Sequence, residues 1–120
     1  MIVTMTDLFE QSVEFVKLHR KGRAFLNYTE DQIRAELLKH ISSYNFAFTV
    51  DNKCVLTGLA TFEIFPSNSL LHIRNLLVSK PKVLRALVEY AAARFPEYSL
   101  SGNRMTGTHF YKLDRLLKHL

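Results

Sequence analysis

Four residues at a strand-to-helix break have the types and spacing expected of an anion-binding site. Lys80 and Lys82 flank Pro81 directly after an apolar run, and Ser79 adds a hydroxyl just before them. Positive charge at the start of a helix, where backbone N–H groups are free, is a common way to hold an anion. The sequence therefore predicts a polyanionic ligand here, either a phosphorylated cofactor or a nucleic acid.

The distribution of charge along the chain supports this prediction. The first 78 residues hold eight basic and eight acidic residues, whereas the part from Ser79 onward holds eight basic and three acidic ones, so the net charge of +5 lies in that second part. A basic surface suits phosphorylated ligands and weak, non-specific nucleic-acid binding alike. Charge alone does not separate these two classes of ligand.

Composition limits the class of protein. A chain of 120 residues that is 48% hydrophobic and 22% charged predicts one globular domain, residues 1–120, with one core. Cys54 is the lone cysteine and no Cys/His spacing matches a zinc site, so we expect a reducing compartment, no disulfide and no metal. Apolar runs are short, and the acidic Asp7 interrupts the region where a signal peptide would need an apolar core. We expect a soluble, cytoplasmic protein with no membrane partner.

Capping patterns and helical periodicity predict two helices at the start of the chain. An Asp-x-x-Glu pattern that begins at Asp7 is followed by apolar residues at helical spacing, which predicts a helix ending near Gly22. Thr29 and Gln32 form a second capping box, which predicts a helix from about Glu30 to Ser43.

Aromatic and β-branched residues predict a sheet in the middle of the chain. The predicted strands are Phe46–Val50, Cys54–Phe65 and Leu70–Val78, separated by turns at 51–53 and 66–69. The aromatic residues of these strands are expected in the core.

Beyond the third strand, the pattern predicts a helix, a strand and a second helix. Pro81 and Pro96 bound a wide apolar stripe that predicts a helix between them. Tyr98–Ser101 is predicted as a short strand, 102–103 as a turn, and Thr108 to about His119 as the last helix.

This order of elements defines the expected fold. Consecutive strands joined by turns form an antiparallel meander, whereas a helical crossover makes the third and fourth strands parallel. The prediction is an α/β (α+β) protein with a mixed, mostly antiparallel sheet flanked by helices, in the order ααβββαβα.

Nearly the whole chain after Asp7 resembles the GNAT superfamily of acyl-coenzyme A dependent N-acetyltransferases. Leu70–Val78 is similar to the family's central strand, which leads into the helix that receives the coenzyme A pyrophosphate. Asn103 followed by Phe110-Tyr111-Lys112-Leu113 resembles the family's Asn…Phe-Tyr-x-Lys-Leu signature, with about one extra residue in the gap. The resemblance implies acetyl-coenzyme A as cofactor and an amine or a protein as acetyl acceptor.

The chain also departs from the family pattern. Where the family has a glycine-containing pyrophosphate loop, this chain has Ser79-Lys80-Pro81-Lys82-Val83-Leu84. Glycine lets backbone N–H groups approach phosphates closely, and none is present here. The usual Gly-Phe after the tyrosine motif is replaced by Asp114-Arg115. In these respects the chain resembles small bacteriophage-encoded members.

Acetyl transfer to an amine needs a base for the ammonium proton and an acid for the departing thiolate. Tyr111 matches the family's general-acid tyrosine. Glu63 on the second predicted strand and His72 on the third are expected to face each other near the substrate cleft, and either could be the base, directly or through water. Each residue also has a purely structural interpretation, as a packing group or a solvated strand residue.

The resemblance also implies the cofactor contacts. The backbone of Leu76, Leu77 and Val78 would pair with the pantetheine arm. Lys80 and Lys82 would neutralise the pyrophosphate as point charges, with a hydroxyl from Ser79. Asn103 is a turn residue first and a ligand contact second.

Two alternatives stay open. A catalytically inactive binding or structural protein, of phage or virion type, would explain the missing glycines. A weak nucleic-acid-binding module would explain the basic half of the chain, although Glu89 interrupts the basic face formed by Lys82 and Arg85 and no RNA-binding motif is present.

Overall fold

The computed structural model describes residues 2–104 and 107–118, and these contain four α-helices and five strands. In chain order the elements are α1 (Met5–His19), α2 (Glu30–Ser42), β1 (Phe46–Val50), β2 (Leu56–Phe65), β3 (Leu70–Val78), α3 (Val83–Arg94), β4 (Ser99–Arg104), β5 (Gly107–Lys112) and α4 (Leu113–Lys118).

The strands form one mixed sheet in the order β1-β2-β3-β4-β5. The pairs β1–β2, β2–β3 and β4–β5 are antiparallel, and β3–β4 is parallel because α3 carries the chain across the sheet between them. The predicted fold class, a mixed and mostly antiparallel sheet flanked by helices, is confirmed.

Two hydrophobic clusters lie on opposite faces of this sheet. The α1/α2 face packs Phe25, Leu37 and Leu59 into one cluster, and the α3/α4 face packs Phe62 and Leu87 into the other. The period of two along each strand produces this division, because alternate side chains point to opposite faces.

Local sequence signals predicted the bounds of α2 to within one residue, but the predicted start of α1 was wrong. The Thr29/Gln32 capping box is present as predicted. For α1, however, Thr4 is the N-cap and Asp7 is the reciprocal acid, so the helix begins before the predicted start. The helix ends at His19, because Arg20 has an extended backbone.

The predicted bounds of two strands are confirmed, and the predicted start of a third is wrong. The bounds of β1 and β3 are as predicted. The strand β2 begins at Leu56 rather than Cys54, because Cys54 has a left-handed backbone, φ +58°, which an extended strand excludes. The Asp51 carboxylate also accepts the N–H groups of Lys53 and Val55, which extends the turn to that point.

The aromatic residues of the strands are divided between core and surface. Phe46 and Phe62 are buried as expected, whereas Phe48 and Phe65 are exposed. The expectation that all four lie in the core was wrong for the last two. Phe65 stands at the end of β2, and Phe48 lies on β1, at the edge of the sheet.

The helix α3 begins two residues after Pro81, at Val83, and ends before Phe95, close to the predicted bounds. Its start packs against β2 at Gly58, where an added Cβ would lie 2.8 Å from a Val83 methyl carbon and 2.9 Å from the Thr49 hydroxyl oxygen. Glycine at this position lets α3 approach the sheet closely.

The last part of the chain differs most from the prediction. The strand β4 runs on through Arg104, so the predicted turn at 102–103 is absent. Gly107–Lys112 is a strand rather than the start of a helix, and the final helix is confined to Leu113–Lys118. Thr108, Phe110 and Tyr111 are of the β-favouring types, and β4 supplies a partner along their whole length. His119, the predicted end of this helix, lies outside the described residues.

Candidate ligand-binding cleft between β3 and β4

Pairing between the two parallel strands at the centre of the sheet stops partway along β3. β4 pairs with β3 only from Leu70 to Ile73 and ends at Arg104, whereas β3 continues to Val78. The register between β2 and β3 shifts at the same level, which leaves Arg74 as an extra, bulged residue. A β-bulge bends and twists its strand, and this one lies where the pairing of β3 with β4 ends. The gap beyond Ile73 is called the cleft below.

The edge of β3 that faces the cleft carries backbone groups without a strand partner among the described residues. The Ser79 N–H donates to the Thr57 carbonyl at 2.9 Å, so this residue is hydrogen-bonded to the β2 side. Because bonded pairs alternate in an antiparallel ladder, Leu77 is the next residue bonded to β2, and the backbone groups of Leu76 and Val78 point toward the cleft. Of the three residues predicted to offer backbone contacts, Leu76 and Val78 therefore lie with their backbone groups on the open edge, and Leu77 does not.

A cavity of about 530 Å³ opens at the cleft and extends under α3 and α4. Its interior is formed by buried apolar side chains, among them Ala60, Phe62, Leu71 and Leu87. This volume lies within the range of small-molecule sites, which are mostly apolar with a few polar groups.

Tyr111 lines this cavity, whereas the other two predicted catalytic residues do not. Tyr111 is opposite Leu100 on β4, and His72 is paired with the next residue, Ser101. Successive strand residues point to opposite faces, so Tyr111 lies on the α3/α4 face and His72 on the α1/α2 face. The sheet therefore separates the predicted acid from the predicted bases.

Glu63 and His72 are direct cross-strand partners, as predicted from their places in β2 and β3, but their side chains bind different groups. The Glu63 carboxylate accepts from the Arg74 guanidinium at 2.9 Å. His72 Nδ1 lies 2.8 Å from the hydroxyl oxygen of buried Ser101, its partner on β4. Because paired residues share a face, both side chains lie on the α1/α2 face, and the sheet lies between His72 and the cavity.

Arg74 joins two carboxylates on the α1/α2 face. Its Nε donates to Glu36 at 2.7 Å, and Glu36 lies 2.8 Å from Nε2 of the buried His40. Burial acts to raise the pKa of Glu36, but the hydrogen bonds from Arg74 and His40 outweigh it and lower the pKa below its ordinary value. The hydrogen bond to Glu36 is the largest cause of a raised pKa for Arg74, and the hydrogen bond to Glu63 is the second largest.

At the junction before α3, two of the backbone N–H groups that a phosphate cradle could use are already hydrogen-bonded. The N–H groups of Val83 and Leu84 already donate to the carbonyls of Lys80 and Pro81, at 3.1 and 3.2 Å. The side chains of Ser79, Lys80 and Lys82 are exposed, and Lys80 lies near enough to Asp51 to contribute to lowering its pKa, after the backbone hydrogen bonds from Val55 and Lys53. Point charges are what this junction offers an anion.

The remaining predicted site residues are Leu77 and Asn103. Leu77 is buried in the α1/α2 cluster, so its side chain does not reach the cleft. Asn103 is paired with Thr108 in the β4–β5 ladder rather than in a turn, and its side chain lies outside the described part of the structure. No group of three or more metal-binding side chains occurs in the part of the chain that is described.

Sequence reasoning missed the loop after α1. Lys21, Gly22 and Arg23 are exposed and line the mouth of the cavity. The buried Asn75 holds this loop, because its Oδ1 accepts the Phe25 N–H at 2.8 Å while its amide group donates to the Thr61 hydroxyl at 2.9 Å. A Lys-Gly-Arg sequence after a helix was the available signal, but nothing in it indicates where the loop folds.

No protein-family model matches the chain, and no curated protein or solved structure matches it. None of the helices in the described residues is long and apolar enough to cross a membrane.

Proposed function

We propose that this protein binds an acyl-coenzyme A thioester along the open edge of β3 and transfers the acyl group to an amine. The observation that carries the proposal is that β3–β4 pairing stops at Ile73 and β4 ends at Arg104, which leaves the backbone of Leu76 and Val78 without a strand partner among the described residues, beside an apolar cavity. An extended, amide-containing chain such as pantetheine suits such an edge, because its amides can pair with strand backbone groups.

The cofactor would supply an activated acyl group; the residues of this chain would bind it and move protons. The cleft suits the pantetheine arm, whereas the α3 junction offers the pyrophosphate the charges of Lys80 and Lys82 without the N–H groups of Val83 and Leu84. In this proposal the Tyr111 hydroxyl holds the proton that the leaving thiolate takes up. His72 and the Ser101 hydroxyl lie on the other face of the sheet from Tyr111, so the ammonium proton would leave through water in the cavity. Glu63 has no part in it, because its carboxylate is held by Arg74 outside the cavity.

Calorimetric titration with acetyl-coenzyme A, with ATP as the polyanion control, tests the binding step. Saturable binding that ATP does not reproduce supports the proposal. Binding of both nucleotides with similar affinity would mean that charge alone attracts them, and binding of neither would contradict the proposal.

Variants test the proton-transfer step. Tyr111→Phe should lower turnover about tenfold or more without changing acetyl-coenzyme A binding. His72→Gln and Glu63→Gln should both leave turnover unchanged, because both side chains lie on the α1/α2 face of the sheet. Unchanged turnover in Tyr111→Phe would remove this residue as the acid.

A catalytically inactive ligand-binding protein is the second candidate. It is favoured by the α3 junction, where Val83 and Leu84 use their N–H groups internally and no glycine is present. Saturable acetyl transfer to any amine would exclude it. Nucleic-acid binding stays a prediction from charge, and it requires an affinity that falls steeply with salt.

A further inference from the structure

We propose that the cavity binds an amphipathic anion, with an apolar chain or ring inside and a carboxylate or phosphate held at the mouth by Lys21 and Arg23. This inference rests on the cavity being the ligand site of the proposed function, but it requires neither coenzyme A binding nor acyl transfer.

The lining of the cavity interior favours an apolar ligand group. Buried Ala47, Ala60, Phe62, Leu71 and Val88 all line it. An apolar group that enters this space leaves water and contacts the lining on several sides, which favours binding by the hydrophobic effect. A ligand that is polar throughout would lose its hydration with little compensation.

The mouth of the cavity selects a negative charge. Its charged lining residues are Lys21, Arg23 and Arg74, and no acidic residue lines the cavity in the described part of the chain. Arg74 is already neutralised by two carboxylates, Glu36 and Glu63. Lys21 and Arg23, in contrast, have no carboxylate within ion-pair distance among the described residues. They therefore give the opening a net positive charge, which favours anions.

The loop that carries these two cations is fixed to the sheet. Phe25 is buried and its N–H is bound by Asn75 of β3, while the Ala24 N–H donates to the Lys21 carbonyl at 3.3 Å. Gly22 has a left-handed backbone, φ +61°, which glycine adopts without strain. The two charges are thus held beside the opening before a ligand arrives, which reduces the ordering cost of binding.

A matched set of eight-carbon ligands tests this inference by titration calorimetry: octanoate, octyl phosphate, octanol and octylamine. We expect both anions to bind, octanol to bind about tenfold more weakly, and octylamine weakest, since charge-assisted hydrogen bonds at a partly exposed mouth contribute on this order. The tighter of the two anions identifies the head group. Octanol or octylamine binding as tightly as octanoate would overturn the inference.

Variants test whether the cations at the mouth of the cavity hold the anionic head group of the ligand. Joint replacement Lys21→Gln and Arg23→Gln should lower octanoate affinity about tenfold and leave octanol unchanged. The control Lys53→Gln, on the β1–β2 turn away from the cavity, should change neither, and Arg23→Lys should retain most of the affinity. Unchanged octanoate binding in the double variant would overturn the inference.

Ala91→Phe, which fills part of the cavity from α3, should abolish binding of all four ligands. Octanoate binding that survives this change would place the ligand elsewhere and overturn the inference, provided that circular dichroism shows a folded variant. Acetyl-coenzyme A is titrated in parallel. Octanoate binding without acetyl-coenzyme A binding would contradict only the proposed acyl transfer, and the reverse result would contradict only the present inference.

Discussion

On the α1/α2 face of the sheet, thirteen buried hydrophobic residues form one cluster in the described chain, and Val13, Leu37 and Leu59 have no exposed surface. On the α3/α4 face the cluster has six buried residues, surrounded by partly buried ones and by the cavity. The same sheet thus has a filled face and a hollow face. The comparison indicates that packing on the filled face stabilises the fold, which leaves the hollow face available for a ligand.

We expect the largest difference in stability between the two faces when one leucine on each face is replaced by alanine. Leu37→Ala should lower the free energy of unfolding by about 3 kcal/mol, because it leaves a new cavity in closely packed surroundings. Leu87→Ala should cost about half as much, because Leu87 already borders empty space and has fewer contacts to lose. Urea denaturation of both variants measures the difference. Equal costs would mean that the hollow face is packed as well as the filled one.

Removal of Arg74 tests the charged network that covers part of the filled face. The Glu36 side chain is 11% exposed and loses its guanidinium partner in Arg74→Ala, so a nearly buried carboxylate keeps only its contact with His40 among the partners described here. We expect a loss of about 2 kcal/mol, below the usual cost for a buried pair because Arg74 itself is partly exposed. The exposed pair Arg85 and Glu89 is the control, and Glu89→Ala, which leaves the contact of Arg85 with the Leu117 carbonyl in place, should cost less than about 1 kcal/mol. Similar unfolding midpoints for the two variants would contradict this prediction.

Enlarging a side chain should stabilise the protein on the hollow face and destabilise it on the filled face. Ala91→Leu points extra methyl groups toward the cavity and should stabilise the protein by up to about 1 kcal/mol. Val16→Leu, at a position with no exposed surface, should destabilise it by about 1 kcal/mol through overpacking. Thermal unfolding measures both effects. A stabilising Val16→Leu would show unfilled space on the face described as filled.

The smallest effect concerns acid stability. The folded-state pKa of Glu36 is lowered from 4.5, so its ionised form contributes stability above the unfolded-state pKa, and this contribution is lost as pH falls through the folded-state value. Glu36→Gln should therefore lose less stability than the unaltered protein between pH 7 and about pH 4. Urea midpoints at the two pH values measure this. An identical loss in both proteins would show that other groups set the acid limit.

Several parts of the fold could be predicted because their signals are local. The Thr29/Gln32 capping box lies within one helical turn, and the bounds of β3 follow from a run of apolar residues between a turn and Pro81. β5 was predicted as a helix, because a strand at the end of a chain depends on a partner that periodicity does not show. The bulge at Arg74 likewise depends on the register between two strands.

The candidate site could be predicted only in part. Tyr111, Leu76 and Val78 do lie at the cleft, whereas Glu63 and His72 are cross-strand neighbours on the other face. The face on which each one lies depends on strand register, and a shift of one residue exchanges the faces.

The sequence by itself determined the mixed α/β architecture and the position of most elements, because capping, turn chemistry and the periods of 3.6 and two residues act over short distances. Only the tertiary structure decided that β3–β4 pairing stops at Ile73, that a cavity opens there, and that Lys21 and Arg23 lie at its mouth. These features join residues far apart in the chain: Leu70 is paired with Ser99, and Phe25 is hydrogen-bonded to Asn75. Contacts over such separations depend on how whole elements pack together, and a local pattern does not encode that.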